Sequence, residues 1–391
     1  MTAGRAELPR ILVVAGTRPE MIKLAPVMEA LRARAGEVDA ALALTGQHTH
    51  LVDQVLDVFG LTPAWDLGIM REGQSLYDVA EGCLRELRVV TAQYRPDLLI
   101  VQGDTASVFF GALTGFFERT CVGHVEAGLR SGDKWRPYPE EVLRRLTSVV
   151  TDVHFAPTPR AAANLRHEGV DPAIIHVTGN TVVDALERIA RGQRAVRDPV
   201  LRGVLQDGRR IVLLTAHRRE SFGAPLLEAF GAVRSVADAH DDIVVLYPVH
   251  PNPRVKEAAE ATLADHPRVR LVPPLDYLDM IEAMRAAALV ITDSGGIQEE
   301  APSFETPVLV LREVTERPEG VDAGVAELVG TSRERIIERA GLLLAEEGVA
   351  ERLRRIGNPY GDGHAAERIA DIVVHRFTGA ERRTTDWSPT T

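Results

Sequence analysis

Residues 97–117, DLLIVQGDTASVFFGALTGFF, hold an unbroken apolar run, a polar break at Gly103-Asp104-Thr105 and a helix-like stretch from 106 to 118. An apolar run without alternation suits a strand covered on both faces, and a helix directly after it completes one βα unit of a parallel sheet. The same unit recurs on either side. RILVVAG (10–16), VDAALALTG (38–46), TCVGHVEAG (120–128) and DVHFAPT (152–158) belong to a first series. RIVLLTAH (210–217), DIVVLYPVH (242–250), VRLVPPL (269–275), ALVITDSGG (288–296) and TPVLVLRE (306–313) form a second. Further helical stretches at 19–35, 159–167, 278–287 and 297–304 predict an α/β protein with doubly wound parallel sheets. The charged segment LERIARGQRAVRDPVLRGVLQDGRR (186–210) divides the two series, and 391 residues exceed what one core normally organises. Two domains are therefore expected.

Composition excludes several classes of function. Apolar residues make up 45% and charged residues 26%, which fits a globular chain. A formal charge of −11 repels phosphate backbones, so no nucleic-acid partner is expected. Cys83 and Cys121 are too few for a disulfide framework and fit a reducing, cytoplasmic setting. The run ILVVAG (11–16) is shorter than a signal-peptide core, and no run approaches the ~18 apolar residues of a membrane span. The polar end ERRTTDWSPTT (381–391) reads as a frayed tail.

Ligands of open α/β sheets lie beyond the carboxyl ends of the strands. Polar clusters fall there throughout: GTRPE, GQH, GDT and HVEAGLR in the first half, TAHRRE, PVHPN and TDSGGIQEE in the second. Their number predicts one site between two domains with facing strand ends. In TDSGGIQEEA (292–301), Ser294-Gly295-Gly296 joins a strand to a helix, where close backbone approach and free N–H groups favour an anion. No lysine follows as in a Walker loop, and no G-x-G-x-x-G dinucleotide fingerprint is present. Glu300 sits about one turn into that helix, placed for a ribose diol; a plain turn with a capping serine is the alternative. Arg18 in GTRPEMIKLAPV suits bidentate phosphate contact, against a surface pair with Glu20. His217, Arg218 and Arg219 at another strand end read as diphosphate-handling groups. His250, between two prolines, has simple packing as an equal alternative.

Acid–base chemistry needs carboxyl groups in unlike environments. Asp104 and Glu126 follow apolar strands, and Glu140 and Glu141 follow Pro137 and Pro139 at the start of a helix running through Arg144. Glu140 and Arg144, four apart, are expected to share a face and pair. Metal ligation is not expected, since His48, His50 and His124 fall on different strand ends and no H-E-x-x-H occurs. Neither is a G-x-S-x-G nucleophile elbow present.

Taken in order, GTRPE, GQH, GDT, HVEAGLRSGD, PEEVLRRLT, TGNTVVDAL, TAHRRE, PVHPN, TDSGGIQEEA, TERPE and NPYGDG closely resemble the non-hydrolysing UDP-N-acetylglucosamine 2-epimerases over residues 10–375. The resemblance implies a GT-B architecture of two Rossmann-like domains, 1–185 completed by a C-terminal helix at 359–380, and 186–358, with UDP-sugar in the interdomain cleft. It implies interconversion of UDP-N-acetylglucosamine and UDP-N-acetylmannosamine through enzyme-held UDP and 2-acetamidoglucal, without NAD or metal. Asp104, Glu126 and Glu140 match the family's acid/base carboxylates, with the roles not divided among them. Arg144 and His217 match its other active-site positions, and Arg18, Ser294, Gly295, Gly296, Glu300 and Arg317 its positions near UDP. Gln47, Arg218 and His250 match a second, activating UDP-N-acetylglucosamine site of some bacterial members, and a homodimer is implied as well. The chain departs from the common pattern at Leu143, Arg136, His50 and Val325. Three rival functions remain at this stage: a hydrolysing relative that releases UDP and free N-acetylmannosamine, a GT-B glycosyltransferase, and a non-catalytic UDP-sugar sensor.

Overall fold

The structure, a computed structural model, describes residues 8–46, 50–71, 73–192, 195–218 and 221–389. The chain divides into two compact units, the first running to Ala185 and resuming at Gly361–Pro389, the second spanning Leu186–Tyr360. In the first unit the strands are β1 (Arg10–Ala15), β2 (Asp39–Leu44), β3 (Trp65–Asp66), β4 (Leu98–Gln102), β5 (Cys121–Val125), β6 (Val153–Ala156) and β7 (Ile175–Val177). They pair in parallel in the order β3-β2-β1-β4-β5-β6-β7. In the second unit β8 (Arg210–Thr215), β9 (Ile243–Pro248), β10 (Val269–Val272), β11 (Ala287–Thr292), β12 (Val308–Val310) and β13 (Ala326–Leu328) form a sheet ordered β10-β9-β8-β11-β12-β13. Both orders reverse beside the first strand, as in doubly wound nucleotide-binding sheets. The two Rossmann-like parallel-sheet units are the components of a GT-B architecture, the fold class expected from the sequence.

The unbroken apolar runs occur because the central strands are covered on both sides. Leu98, Leu99, Ile100 and Val101 of β4 are fully buried. Leu99 and Val101 pack with Leu12, Val14 and Val122 against helices Leu76–Tyr94 and Ala106–Phe117. Each such side chain contributes about 1.5–3 kcal/mol by leaving water. Helix starts follow from local chemistry. Thr17 caps helix Arg18–Arg32, with Pro19 in its first turn, and Thr105 caps Ala106–Phe117. These caps fix where β1 and β4 stop, and so where the residues between strand and helix are presented.

Helix Ala365–Thr378 belongs to the first unit, where Asp184 receives the N–H groups of Ala365 (3.2 Å) and Ala366 (2.8 Å) at its start. The expectation of a frayed C-terminal tail is corrected. Residues 380–389 run as an ordered strap over the first unit: Trp387 is 7% exposed and its N–H donates to Val177 O at 2.7 Å. A polar composition hid this, because one aromatic residue and backbone hydrogen bonds to an edge strand suffice to dock the segment. Among the described residues no helix is long and apolar enough to cross a membrane.

Candidate active site

In the first unit the sheet order reverses between β1 and β4; Asp104 and Glu126 follow β4 and β5 there, and Glu140 lies on the helix whose Arg144 reaches Asp104. Asp104 lies just beyond β4, half-buried, and accepts from Arg144 Nη2 across 40 residues of sequence. Glu126 follows β5 with φ of 65°, a left-handed conformation uncommon outside glycine. Its carboxylate takes Lys23 Nζ on one oxygen and Gln102 Nε2 on the other. A β-carbon on Gly103 would lie 3.6 Å from Glu126 Oε2, which places that carboxylate beside the Asp104 turn. Glu140 opens helix Glu140–Val149, and its Oε2 is buried with no hydrogen-bond partner among the described residues.

The expected Glu140–Arg144 pair does not form. Arg144 turns instead to Glu141 (Nη1 to Oε2, 3.0 Å) and Asp104, since those are the carboxylates that packing brings to its face. Glu141 is 1% exposed and also accepts the N–H groups of Ser131 (3.0 Å) and Gly132 (3.3 Å). It therefore anchors the loop between Glu126 and Glu140 and leaves Glu140 uncommitted. Arg18 is half-buried at the end of β1, and its side chain has no ion pair among the described residues. The alternative of a pair with Glu20 is set aside by the geometry. Glu20 is buried, accepting from Gly16 N (2.6 Å), Thr17 Oγ1 (2.9 Å) and Thr105 Oγ1 (2.8 Å). Burial raises its pKa above the ordinary carboxyl range, only partly opposed by those hydrogen bonds.

Two histidines support this floor from within the sheet. His124 Nε2 donates to Gly103 O at 2.7 Å, and burial lowers its pKa to about 4. Its register partner His154 is fully buried with neither ring nitrogen hydrogen-bonded, and burial followed by His124 and Arg130 lowers it to about 3. Both are neutral at pH 7. A neutral ring beside Arg130 and Arg144 avoids crowding further positive charge there.

In the second unit the order reverses between β8 and β11, and cations gather there. Asp293, 1% exposed, accepts from His217 N (2.7 Å) and Arg218 N (2.8 Å) on Oδ2, while His217 Nδ1 lies 3.1 Å from its Oδ1. Burial raises the Asp293 pKa, but His217 and the two backbone donors outweigh it, and the carboxyl is lowered overall. With Nδ1 facing Asp293, the Nε2 of His217 is the nitrogen left for a ligand. His250 stacks on His217 with ring centroids 5.4 Å apart and planes 15° apart. Burial and then His217 lower the His250 pKa.

Ser294 precedes helix Gly295–Glu300, and its hydroxyl makes no capping bond, unlike the threonines of the first unit. The capping-serine alternative is thus not what the turn does. Gly295 leaves room for an arginine: a β-carbon there would come within 2.5 Å of Arg317 Nη1. Arg317 is held by Glu299 (2.6 Å) and Glu316 (2.5 Å). Burial would raise the Glu316 pKa, yet Arg317, Arg312 and Arg218 bring it down to about 2. Glu300 is the last residue of the helix, and a β-carbon on Gly296 would lie 3.8 Å from its Oε1. Gln47, with His48, and Arg219 lie outside the described residues.

Sequence reasoning passed over Lys23, Gln102, Asp293 and Glu316, and it named Glu141 without giving it the pairing with Arg144. Asp293 had a readable signal, since it follows an apolar strand just as Asp104 follows β4 by two residues. Lys23, inside the run 21–28 whose other members are apolar, was also visible as a cation in need of a partner.

A family profile described as UDP-N-acetylglucosamine 2-epimerase matches residues 29–374. The Bacillus subtilis UDP-N-acetylglucosamine 2-epimerase is 43% identical over 368 residues, covering 94% of this chain and 96% of that protein. The crystal structure of the Neisseria meningitidis UDP-GlcNAc 2-epimerase bound to UDP-GlcNAc superposes with a TM-score of 0.85 at 37% identity, covering 93% of this chain and 99% of that one. The Methanocaldococcus jannaschii enzyme, in complex with UDP-GlcNAc and UDP, gives a TM-score of 0.77 at 32% identity, covering 94% and 99%. Motif order, sheet order and similarity across nearly the full chain agree, and the chain belongs to the UDP-N-acetylglucosamine 2-epimerase family.

Proposed function

We propose that this protein interconverts UDP-N-acetylglucosamine and UDP-N-acetylmannosamine by elimination and re-addition of UDP. A carboxylate of the first unit removes the proton on C2, the C1–O bond to UDP breaks, and the electron pair leaves with the diphosphate. That step yields 2-acetamidoglucal with a C1–C2 double bond. A second carboxyl group returns a proton to C2 from the opposite face, and a diphosphate oxygen attacks C1. Atoms and charges balance without a redox partner, so the cycle calls on no NAD, and no metal is part of the proposal.

The observation that carries the reading is the contrast among Asp104, Glu126 and Glu140. One faces an arginine, one a lysine and an amide, and one keeps a buried oxygen unpaired. Unlike environments are what let neighbouring carboxyl groups divide acid and base roles. Arg18, His217 and the Ser294-Gly295-Gly296 turn would receive the departing diphosphate, with Arg317 and Glu300 beside that turn. Positive charge and oriented N–H groups stabilise the developing negative charge. Arg218 and His250, with Gln47, would serve an activating UDP-N-acetylglucosamine molecule, and a homodimer is part of the same proposal.

The test is incubation of the purified protein with UDP-N-acetylglucosamine in D2O, followed by NMR. The expected result is UDP-N-acetylmannosamine carrying deuterium at C2. Free N-acetylmannosamine and UDP would instead identify a hydrolysing enzyme. Sugar recovered without deuterium at C2 would refute proton transfer altogether.

A further inference from the structure

The turn that presents Glu126 is built from unusual backbone: Glu126 has φ of 65° and Gly128 φ of 91°. A residue held in the left-handed region persists only where its surroundings fix it. Two polar contacts do part of this, Ala127 N to Phe155 O at 3.1 Å and Asn164 Nδ2 to Gly128 O at 2.9 Å. The largest apolar side chain of the surrounding cluster comes from the far end of the chain. Ala127 is fully buried in a small cluster with Ala156, Ala161, Ala162, Leu165, Ile175 and Val177, in which Trp387 is the one aromatic side chain. Four of the eight buried members are alanines, so the indole is the largest single volume in the cluster that surrounds Ala127.

The strap carrying Trp387 is fastened on both sides of it. Val177, on the edge strand, gives its N–H to Asp386 Oδ2 (2.9 Å) and takes the Trp387 N–H on its carbonyl. Upstream, Asp371 Oδ2 accepts from Arg383 N (2.7 Å), Thr384 N (2.8 Å) and Thr384 Oγ1 (2.9 Å), and Arg368 Nε donates to Thr385 O at 3.1 Å. A solvated tail has no use for a buried aspartate that takes three of its donors.

We propose that Trp387 is a positioning residue for Glu126: the C-terminal strap sets its indole into the buried cluster around Ala127 and so fixes the turn that aims the carboxylate. Relevance to turnover rests on the proton-transfer role proposed for Glu126; the effect on the turn does not. The full-length protein with Trp387→Leu, which keeps an apolar plug of smaller volume, is compared with Trp387→Phe and the wild type. Amide hydrogen exchange is followed at 126–130, with 210–215 of β8 as the internal reference, together with kcat and KM for UDP-N-acetylglucosamine. In Trp387→Leu, exchange at 126–130 rises while 210–215 is unchanged, kcat falls about 10-fold and KM moves less than about 2-fold. Trp387→Phe recovers most of both. Wild-type exchange at 126–130 in the Leu variant overturns the proposal, whatever the activity. Raised exchange with unchanged kcat overturns it too, by separating the turn from turnover. A wild-type protein that does not epimerise would sink the functional reading alone, and the exchange comparison would still decide the role of Trp387 at the turn.

Discussion

The strand ends of the two units are built with opposite polarity. In the first, carboxylates are displayed and cations hold them: Arg144 grips Asp104, and Lys23 grips Glu126. In the second, cations are displayed and buried carboxylates hold them: Asp293 fixes His217 and Arg218, while Glu299 and Glu316 fix Arg317. One sheet topology, reversed at the same point, thus carries two kinds of chemistry, because the strand ends supply positions and the side chains supply the charge. The first arrangement suits moving a proton at carbon and the second suits receiving an anion. The clamps differ in what they leave open: among the described residues, Glu140 in one unit and His217 Nε2 in the other have capacity to spare.

The largest effect expected from this contrast is its separation by mutation. Asp104→Asn, Glu126→Gln and Glu140→Gln should each lower epimerisation by ~10²–10⁴-fold while UDP affinity, read by calorimetry, stays within a few-fold of wild type. Near-normal turnover in all three would break the division of labour. A smaller effect is expected from the clamp of the second unit. Asp293→Asn keeps the volume but leaves the His217 tautomer unset, and kcat should fall on the order of 10²-fold, with UDP binding weakened as well. A variant that loses neither would mean His217 needs no orienting partner.

The smallest effect concerns stability. The described histidines buried in a sheet core near cations are in the first unit. His154 has a folded pKa of about 3 against 6.5 for the free side chain. Between those values the unfolded chain takes up a proton that the folded chain refuses, so this contribution is whole above pH 6.5 and is lost as pH falls towards 3. By pH 5 the loss amounts to about 2 kcal/mol. His154→Leu should therefore lose about that much less stability than wild type between pH 8 and pH 5, measured by urea unfolding. Parallel pH dependence in the two proteins would remove His154 as the cause.

Much of this molecule can be read along the chain. The strand–helix alternation was legible because burial on both faces leaves unbroken apolar runs, and caps such as Thr17 and Thr105 mark where they stop. The clustering of polar residues at strand ends was legible for the same reason: a buried strand can change to polar residues only where it leaves the core. Motif order then carried the family. What the sequence left open was the pairing of charges. Helical spacing pointed Arg144 at Glu140, four residues away, whereas the fold gave it Asp104, 40 residues away. Lys23 meets Glu126 across 103 residues, and Asp386 meets Val177 across 209. Such partners are set by which strands become neighbours and by how deeply each group is buried. A local pattern fixes the face on which a side chain lies, and only the assembled sheet decides what stands opposite it.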